Sequence, residues 1–259
     1  MTFYNEFDHN AAKRLRNLCK AGEITNGTVD ERDIQTILPA ELAGMRRVHF
    51  FAGIGGWDLA LRLAGWPADR EVWTGSCPCQ PFSLAGKQRR NADERDLWPA
   101  FFRILKECRP ATVFGEQVDN KHGEEWLSRL RSDLESEGYA VGDASLNSAG
   151  IGANQIRQRL YWVADAAGQR RCGGAEVAQT GSAKLGGPSA YLLPESRPDG
   201  RGSLSSLSVS EVCEAAYGVP GRVADLRGFG NAIDPEVAGE FITAFMETEP
   251  APDGEGRKI

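Results

Sequence analysis

The residue in this sequence best suited to covalent chemistry is Cys79, in the run Gly75-Ser76-Cys77-Pro78-Cys79-Gln80-Pro81-Phe82-Ser83. The run follows the β-type stretch Glu71 to Thr74, so the thiol falls at the carboxyl end of a strand, where α/β sheets place their sites. A cysteine that follows proline in such a loop is presented to its surroundings and can act as a nucleophile. Taken alone, the same residue type also serves as a small buried hydrophobe. A second run, Phe50-Phe51-Ala52-Gly53-Ile54-Gly55-Gly56, leaves an apolar strand and opens a helix. Its glycines let the backbone approach a ligand closely, and the helix start favours an anionic end. A turn of this kind arises from tight packing as readily as from ligand binding.

Both runs need a sheet to hold them. Up to about residue 165, short β-rich runs alternate with helical ones, which predicts an α/β fold with a mostly parallel sheet and helices on both faces. The β-type runs are Thr2 to Tyr4, Thr28 to Val29, Arg47 to Phe51, Glu71 to Thr74, Thr112 to Gly115, Tyr139 to Val141 and Leu160 to Val163. The spacing of Trp126, Leu127, Leu130 and Leu134 predicts a helix from His122 that stops at Gly138. Asp96 is placed to cap the helix carrying Leu97, Phe101, Phe102, Ile104 and Leu105, with Pro99 in its first turn. Residues 166–228 are rich in Gly, Ser, Arg and Ala and predict a small loop-rich appendage. A helical pattern returns at Pro235 to Met246, and residues 248–259 form a polar tail.

Bulk properties narrow the class. A chain of 259 residues with 41% hydrophobic and 25% charged residues can bury a full core as a soluble protein. No apolar run approaches the roughly 20 residues that span a membrane. The polar start (Asn5, Glu6, Asp8, His9) argues against a secretory signal, so a cytoplasmic location is expected. Six scattered cysteines (19, 77, 79, 108, 172, 213) point away from a disulfide framework and from a zinc site, and no metal is expected. The net charge of −6 leaves room for a local basic patch but not for a DNA-coating surface.

Taken together, the motifs resemble those of the DNA (cytosine-5-)-methyltransferases. Pro78-Cys79-Gln80 with Pro81-Phe82-Ser83 looks like the family's nucleophile loop, and Phe51 to Gly56 is similar to its first cofactor motif. Asp93-Glu94-Arg95-Asp96-Leu97 resembles the helix start downstream of the nucleophile. Glu116-Gln117-Val118 resembles Glu-Asn-Val with Gln in place of Asn, and Gln155-Ile156-Arg157-Gln158-Arg159 matches Gln-x-Arg-x-Arg. Gly230-Asn231-Ala232-Ile233 with Pro235 resembles the closing motif. Only about twenty residues separate Gly56 from Cys79, too few for the two cofactor motifs that the family carries there. Asn5-Glu6-Phe7-Asp8 and Asp30-Glu31-Arg32-Asp33-Ile34 resemble those two motifs, which implies a Rossmann-like methyltransferase fold with circularly permuted strand order. The alternative is that residues 1–45 are an unrelated helical extension.

The resemblance implies transfer of a methyl group from S-adenosylmethionine to C5 of a flipped-out cytosine in double-stranded DNA. It assigns Cys79 to attack at C6, Glu116 to the exocyclic amine and N3, Arg159 to O2, and Arg157 to support. It places Phe51, Gly53, Gly55, Glu6, Phe7, Asp33, Ile34 and Asn231 around the cofactor. Gln80, Ser83, Lys87, Arg89, Arg90 and Gln155 would meet DNA, although a basic loop is also an ordinary solvated feature. The domains implied are 1–165 for catalysis and cofactor, 166–228 for a reduced target-recognition region, and 229–247 for a returning helix. No membrane contact is expected, a monomer is the default, and a cognate restriction nuclease is a possible partner. An RNA cytosine methyltransferase, a non-catalytic relative that binds DNA or cofactor, and an unrelated thiol enzyme are the competing readings.

Overall fold

The computed structural model describes residues 1–78, 96–151, 157–166 and 232–248. Seven strands build one sheet: β1 (Thr2–Asn5), β2 (Thr28–Asp30), β3 (Arg47–Phe50), β4 (Val72–Gly75), β5 (Thr112–Val118), β6 (Ala140–Asn147) and β7 (Gln158–Asp165). Their order across the sheet is β2-β1-β3-β4-β5-β7-β6. The first five are parallel, while β7 runs antiparallel between β5 and β6. Residues 1–50 therefore supply three adjacent strands, with β1 in parallel register against both β2 and β3. This overturns the alternative of an unrelated helical extension.

Alternation along the strands divides the core. Phe3, Val48, Phe50, Trp73, Val113 and Trp162 point to the face covered by α3 (Trp98–Cys108) and α4 (Lys121–Ser136). Val72, Phe114, Tyr161 and Val163 point to the opposite face, under α2 (Gly56–Leu63) and α5 (Pro235–Thr248). Tyr4 packs there too, against Leu15 and Cys19 of α1 (His9–Ala21). Helices thus cover both faces. Burial of rings such as Trp73, Trp98 and Trp162 supplies much of the cohesion, since an aromatic side chain removes about 150–250 Å² from water.

A buried polar cluster locks the N-terminal strands to β3. The Asp58 carboxylate accepts from the Thr25 N–H at 2.7 Å and lies 3.5 Å from the Arg47 guanidinium. Tyr4 donates its hydroxyl to the Thr25 carbonyl at 2.7 Å and stacks on His49, with centroids 4.9 Å apart. Burial lowers His49 to about 4, so its ring is neutral, and its Nδ1 pairs with Thr74 Oγ1 at 2.8 Å. These bonds tie the loop after α1 to β1, β3 and α2, although His49 Nε2 and Asp58 Oδ1 face each other at 3.7 Å without a hydrogen bond.

Local differences from the sequence reading have physical causes. β5 runs on through Glu116 and Gln117, two residues that look unlike strand formers but are buried at the end of a central strand. β6 reaches Asn147 through Gly142, Asp143 and Ser145, because an edge strand tolerates polar residues on its half-exposed surface. The strand before the glycine turn ends at Phe50, since Phe51 takes a left-handed backbone with φ of 51°. Leu97 is the cap of α3. Asp96 sits one residue earlier and accepts from the Trp98 N–H at 3.2 Å. α4 starts at Lys121, capped by Asn120, and Gly138 stops the chain with φ of 88° as expected. Among the described residues no helix is long and apolar enough to cross a membrane.

Candidate active site

The carboxyl ends of the parallel strands gather the predicted residues along one edge of the sheet. At the end of β3 the chain turns through Gly53 and Gly55, with φ of 56° and 83°. An added Cβ at Gly53 would meet nothing within 4 Å, so there the backbone is open to an approaching group. At Gly56 it would lie 2.8 Å from Ile233 Cγ1, which shows the C-terminal segment seated against the start of α2.

Glu6, just past β1, reaches this turn. One carboxylate oxygen accepts from the Gly53 N–H at 2.7 Å and the other from the Asp8 N–H at 2.8 Å. Burial pushes the Glu6 carboxyl above its ordinary value, and these two donors partly offset that shift. The Ala52 N–H donates to the Asn5 carbonyl at 3.0 Å, and the Asn5 side chain donates to the Arg32 carbonyl at 2.8 Å. The ends of β1, β2 and β3 are thereby joined. Phe7 is 73% exposed beside Glu6. Asp33 caps a short 3₁₀ turn and accepts from the Gln35 N–H at 2.9 Å. The Ile34 side chain is buried with Phe3 and Ile37, so it belongs to the core, which leaves only its main chain for a ligand.

Three strands away, Glu116 and Arg159 meet. Antiparallel register places Glu116 opposite Tyr161 and Val118 opposite Arg159, so the side chains at 116, 159 and 161 share a face. Arg159 Nε donates to Glu116 Oε1 at 2.8 Å. Burial raises the Glu116 carboxyl above its usual range, while Arg159 and then Arg157 draw it back. A carboxyl held in this way keeps its proton to higher pH than an exposed glutamate, and in its protonated form it can donate a hydrogen bond.

Between these two groups lies the segment Gly75–Pro78, and two contacts there were not evident from sequence. Trp57 Nε1, on α2, donates to Ser76 Oγ at 3.0 Å. Gln117 Nε2, on β5, donates to the Cys77 carbonyl at 3.2 Å. Each joins residues distant in the chain, and neither type nor spacing marks them. Cys79, Gln80, Ser83, Lys87, Arg89, Arg90, Gln155 and Asn231 lie outside the described residues, as do the appendage and the tail.

The family model for the C-5 cytosine-specific DNA methylases matches residues 66–180, a stretch that holds Cys79, Glu116, Arg157 and Arg159. Over that stretch the chain is similar to this family. The glycine turn and everything before it fall outside the matched residues. Type II methyltransferase M.NgoMIV of Neisseria gonorrhoeae is 36% identical over 98 residues, covering 36% of this chain and 31% of that protein. Type II methyltransferase M.HhaI of Haemophilus parahaemolyticus is 26% identical over 162 residues, covering 48% of this chain and 50% of that protein. The chain thus spans half or less of the length of these relatives. A crystal structure of the S. pombe Dnmt2 methyltransferase aligns over 63% of this chain and 50% of that one, with 16% identity and a TM-score of 0.41.

The residues present fit a nucleoside cofactor of the kind used by methyltransferases. Ribose hydroxyls need a carboxylate acceptor, and Glu6 retains lone pairs beyond its two internal bonds. The backbone at Gly53, bonded to that carboxylate, is open to an approaching group, and the ring of Phe7, the next residue, is exposed.

Proposed function

We propose that the protein transfers a methyl group from S-adenosylmethionine to C5 of cytosine in DNA. The observation that carries this reading is the pairing of buried Glu116 with half-buried Arg159, the glutamate one strand over from the segment that leads into Cys79. C5 of cytosine is a poor nucleophile, and addition of a thiolate at C6 makes it a good one; once C5 has taken the methyl group and the demethylated donor has left, loss of the C5 proton expels the thiolate from C6 and restores the ring. Cys79 is the residue placed by its motif to form that bond. As the bond forms, electron density moves onto the ring. A protonated Glu116 donates to N3 and accepts from the exocyclic amine, while the Arg159 guanidinium holds O2. Arg157 adds positive charge beside the same carboxyl.

S-adenosylmethionine supplies the methyl group when bound. Glu6, Phe7, Asp33, Gly53 and Asn231 are the residues that hold it, with Phe51 and Gly55 shaping the turn. The strand order supports the permuted reading, because β1 and β2 bring Glu6 and Asp33 to the edge at which β3 delivers the glycine turn. A base inside a duplex is out of reach of such an edge, so the target must be flipped out, with Lys87, Arg89 and Arg90 binding the backbone.

The test is incubation with labelled S-adenosylmethionine and mixed-sequence duplex DNA, followed by base-resolution mapping of 5-methylcytosine. Label at C5 of cytosine in DNA is expected. Label in transfer RNA alone, or none at all, overturns the proposal. A separate binding measurement checks the cofactor site. Glu6→Ala is expected to weaken S-adenosylmethionine binding by about tenfold or more, the scale of a hydrogen bond to a charged group. An unchanged dissociation constant in titration calorimetry removes Glu6 from the site.

A further inference from the structure

Strands β4 and β5 pair only through Trp73 with Val113 and Thr74 with Phe114. Beyond that point β5 continues to Val118, while the other chain leaves the ladder at Gly75 and heads for Cys79. Past Thr74 the β4–β5 ladder no longer holds the departing segment, although a nucleophile needs its position set to within a fraction of an ångström. Side chains take over that task. Gln117, buried on β5, donates its amide to the Cys77 carbonyl at 3.2 Å and accepts from the Val118 N–H at 2.9 Å. The second bond fixes the amide orientation, so the donor side faces Cys77. From the other face of the sheet, Trp57 donates its indole N–H to Ser76 Oγ at 3.0 Å. Gly75 seats the start of the segment on the Phe101 ring, where an added Cβ would lie 2.5 Å from Cζ.

We infer that Trp57 and Gln117 are positioning residues that clamp Ser76 and Cys77 from two sides and so set the origin of the Cys79 loop. This rests on the proposed reading of Cys79 as nucleophile. The clamp also has a direction. Trp57 is the second residue of α2, the helix opened by the glycine turn, whereas Gln117 adjoins Glu116. The segment before Cys79 is thus tied to the cofactor turn on one side and to the base-binding carboxyl on the other.

The test uses the full chain with Trp57→Phe, Ser76→Ala and Gln117→Met, each of which keeps the bulk and removes one hydrogen-bonding partner. In steady-state methylation each variant is expected to lose about tenfold in kcat, with KM for S-adenosylmethionine unchanged, the pattern of a misplaced nucleophile. Trp57→Phe and Ser76→Ala break the same bond, so the double variant is expected to be no slower than either single one. Combining Trp57→Phe with Gln117→Met compounds the losses. Amide hydrogen exchange in the peptide containing Ser76 and Cys77 is read in parallel, without substrate, and is expected to quicken in each variant. Unchanged exchange overturns the clamp whatever the activity. Faster exchange with wild-type kcat overturns the positioning role. Failure of the wild-type protein to transfer methyl counts against the functional reading, and the exchange arm then decides the clamp alone.

Discussion

Replacing Cys79 by alanine is expected to reduce methyl transfer by roughly ten-thousand-fold or more, as loss of a covalent nucleophile does elsewhere. Nothing else assigned to the site can take over. Glu116 and Arg159 polarise a ring that has already been attacked, and without a bond at C6 there is little charge for them to stabilise. Glu6 and Phe7 follow β1 and Gly53 follows β3, and none belongs to the loop that carries Cys79, so cofactor binding should survive the substitution. Single-turnover transfer of a tritiated methyl group, beside calorimetry for the cofactor, measures both quantities. Transfer near the wild-type rate would remove Cys79 from the mechanism. Lost cofactor binding would show that the substitution disturbs more than the reacting atom.

Glu116→Gln is the second large effect, with an expected loss of about 10² to 10³ in kcat, the scale of removing one preorganised donor at a developing charge. Glutamine keeps the shape and one donor but has no proton to hand to N3. Because burial raises the wild-type carboxyl, its neutral form persists to higher pH than that of an exposed glutamate. The wild-type rate should fall as pH rises through that value, and the variant should lack this limb. Stability gives an independent reading. A group whose pKa is raised on folding contributes stability below its unfolded value, near 4.5 here, and loses it as pH rises through the folded value. The melting temperature of Glu116→Gln relative to wild type should therefore climb with pH above about 4.5. A constant difference across that range would show that Glu116 titrates as an ordinary surface carboxylate.

Much of this architecture was legible in the chain. All seven strands were marked by β-type runs, and the helical spacing of the runs carrying Phe101 and Ile104, Leu127 and Leu130, and Val237 and Ile242 located covering helices. The strand lengths were not marked. Glu116, Gln117, Asp143 and Ser145 fall beyond the β-type runs that end at Gly115 and Val141, because propensity reports a half-buried pleated surface and takes no account of a polar residue kept in a strand for its position. The site divides in the same way. The motifs placed the glycine turn, Glu116 and Arg159 at strand ends, where the structure has them, and marked the turn after β1, which the structure brings to Gly53. The bonds Glu6 to Gly53, Trp57 to Ser76 and Gln117 to Cys77 were not legible, since each depends on strand order in space. Ile34 shows the converse, as a motif position whose side chain the core has claimed.

The position of β1 and β2 ahead of β3 also bears on how the protein is made. Residues 1–78 contain four adjacent parallel strands, β2-β1-β3-β4, together with α1, α2 and the polar cluster around Asp58. A nascent chain emerging amino end first can therefore assemble this half-sheet, with Glu6 already bonded to the Gly53 turn, before the nucleophile loop leaves the ribosome. One face of that half-sheet still awaits α3, and the start of α2 still awaits the segment at Ile233. Also waiting is the free edge of β4, which β5 must cover as synthesis proceeds.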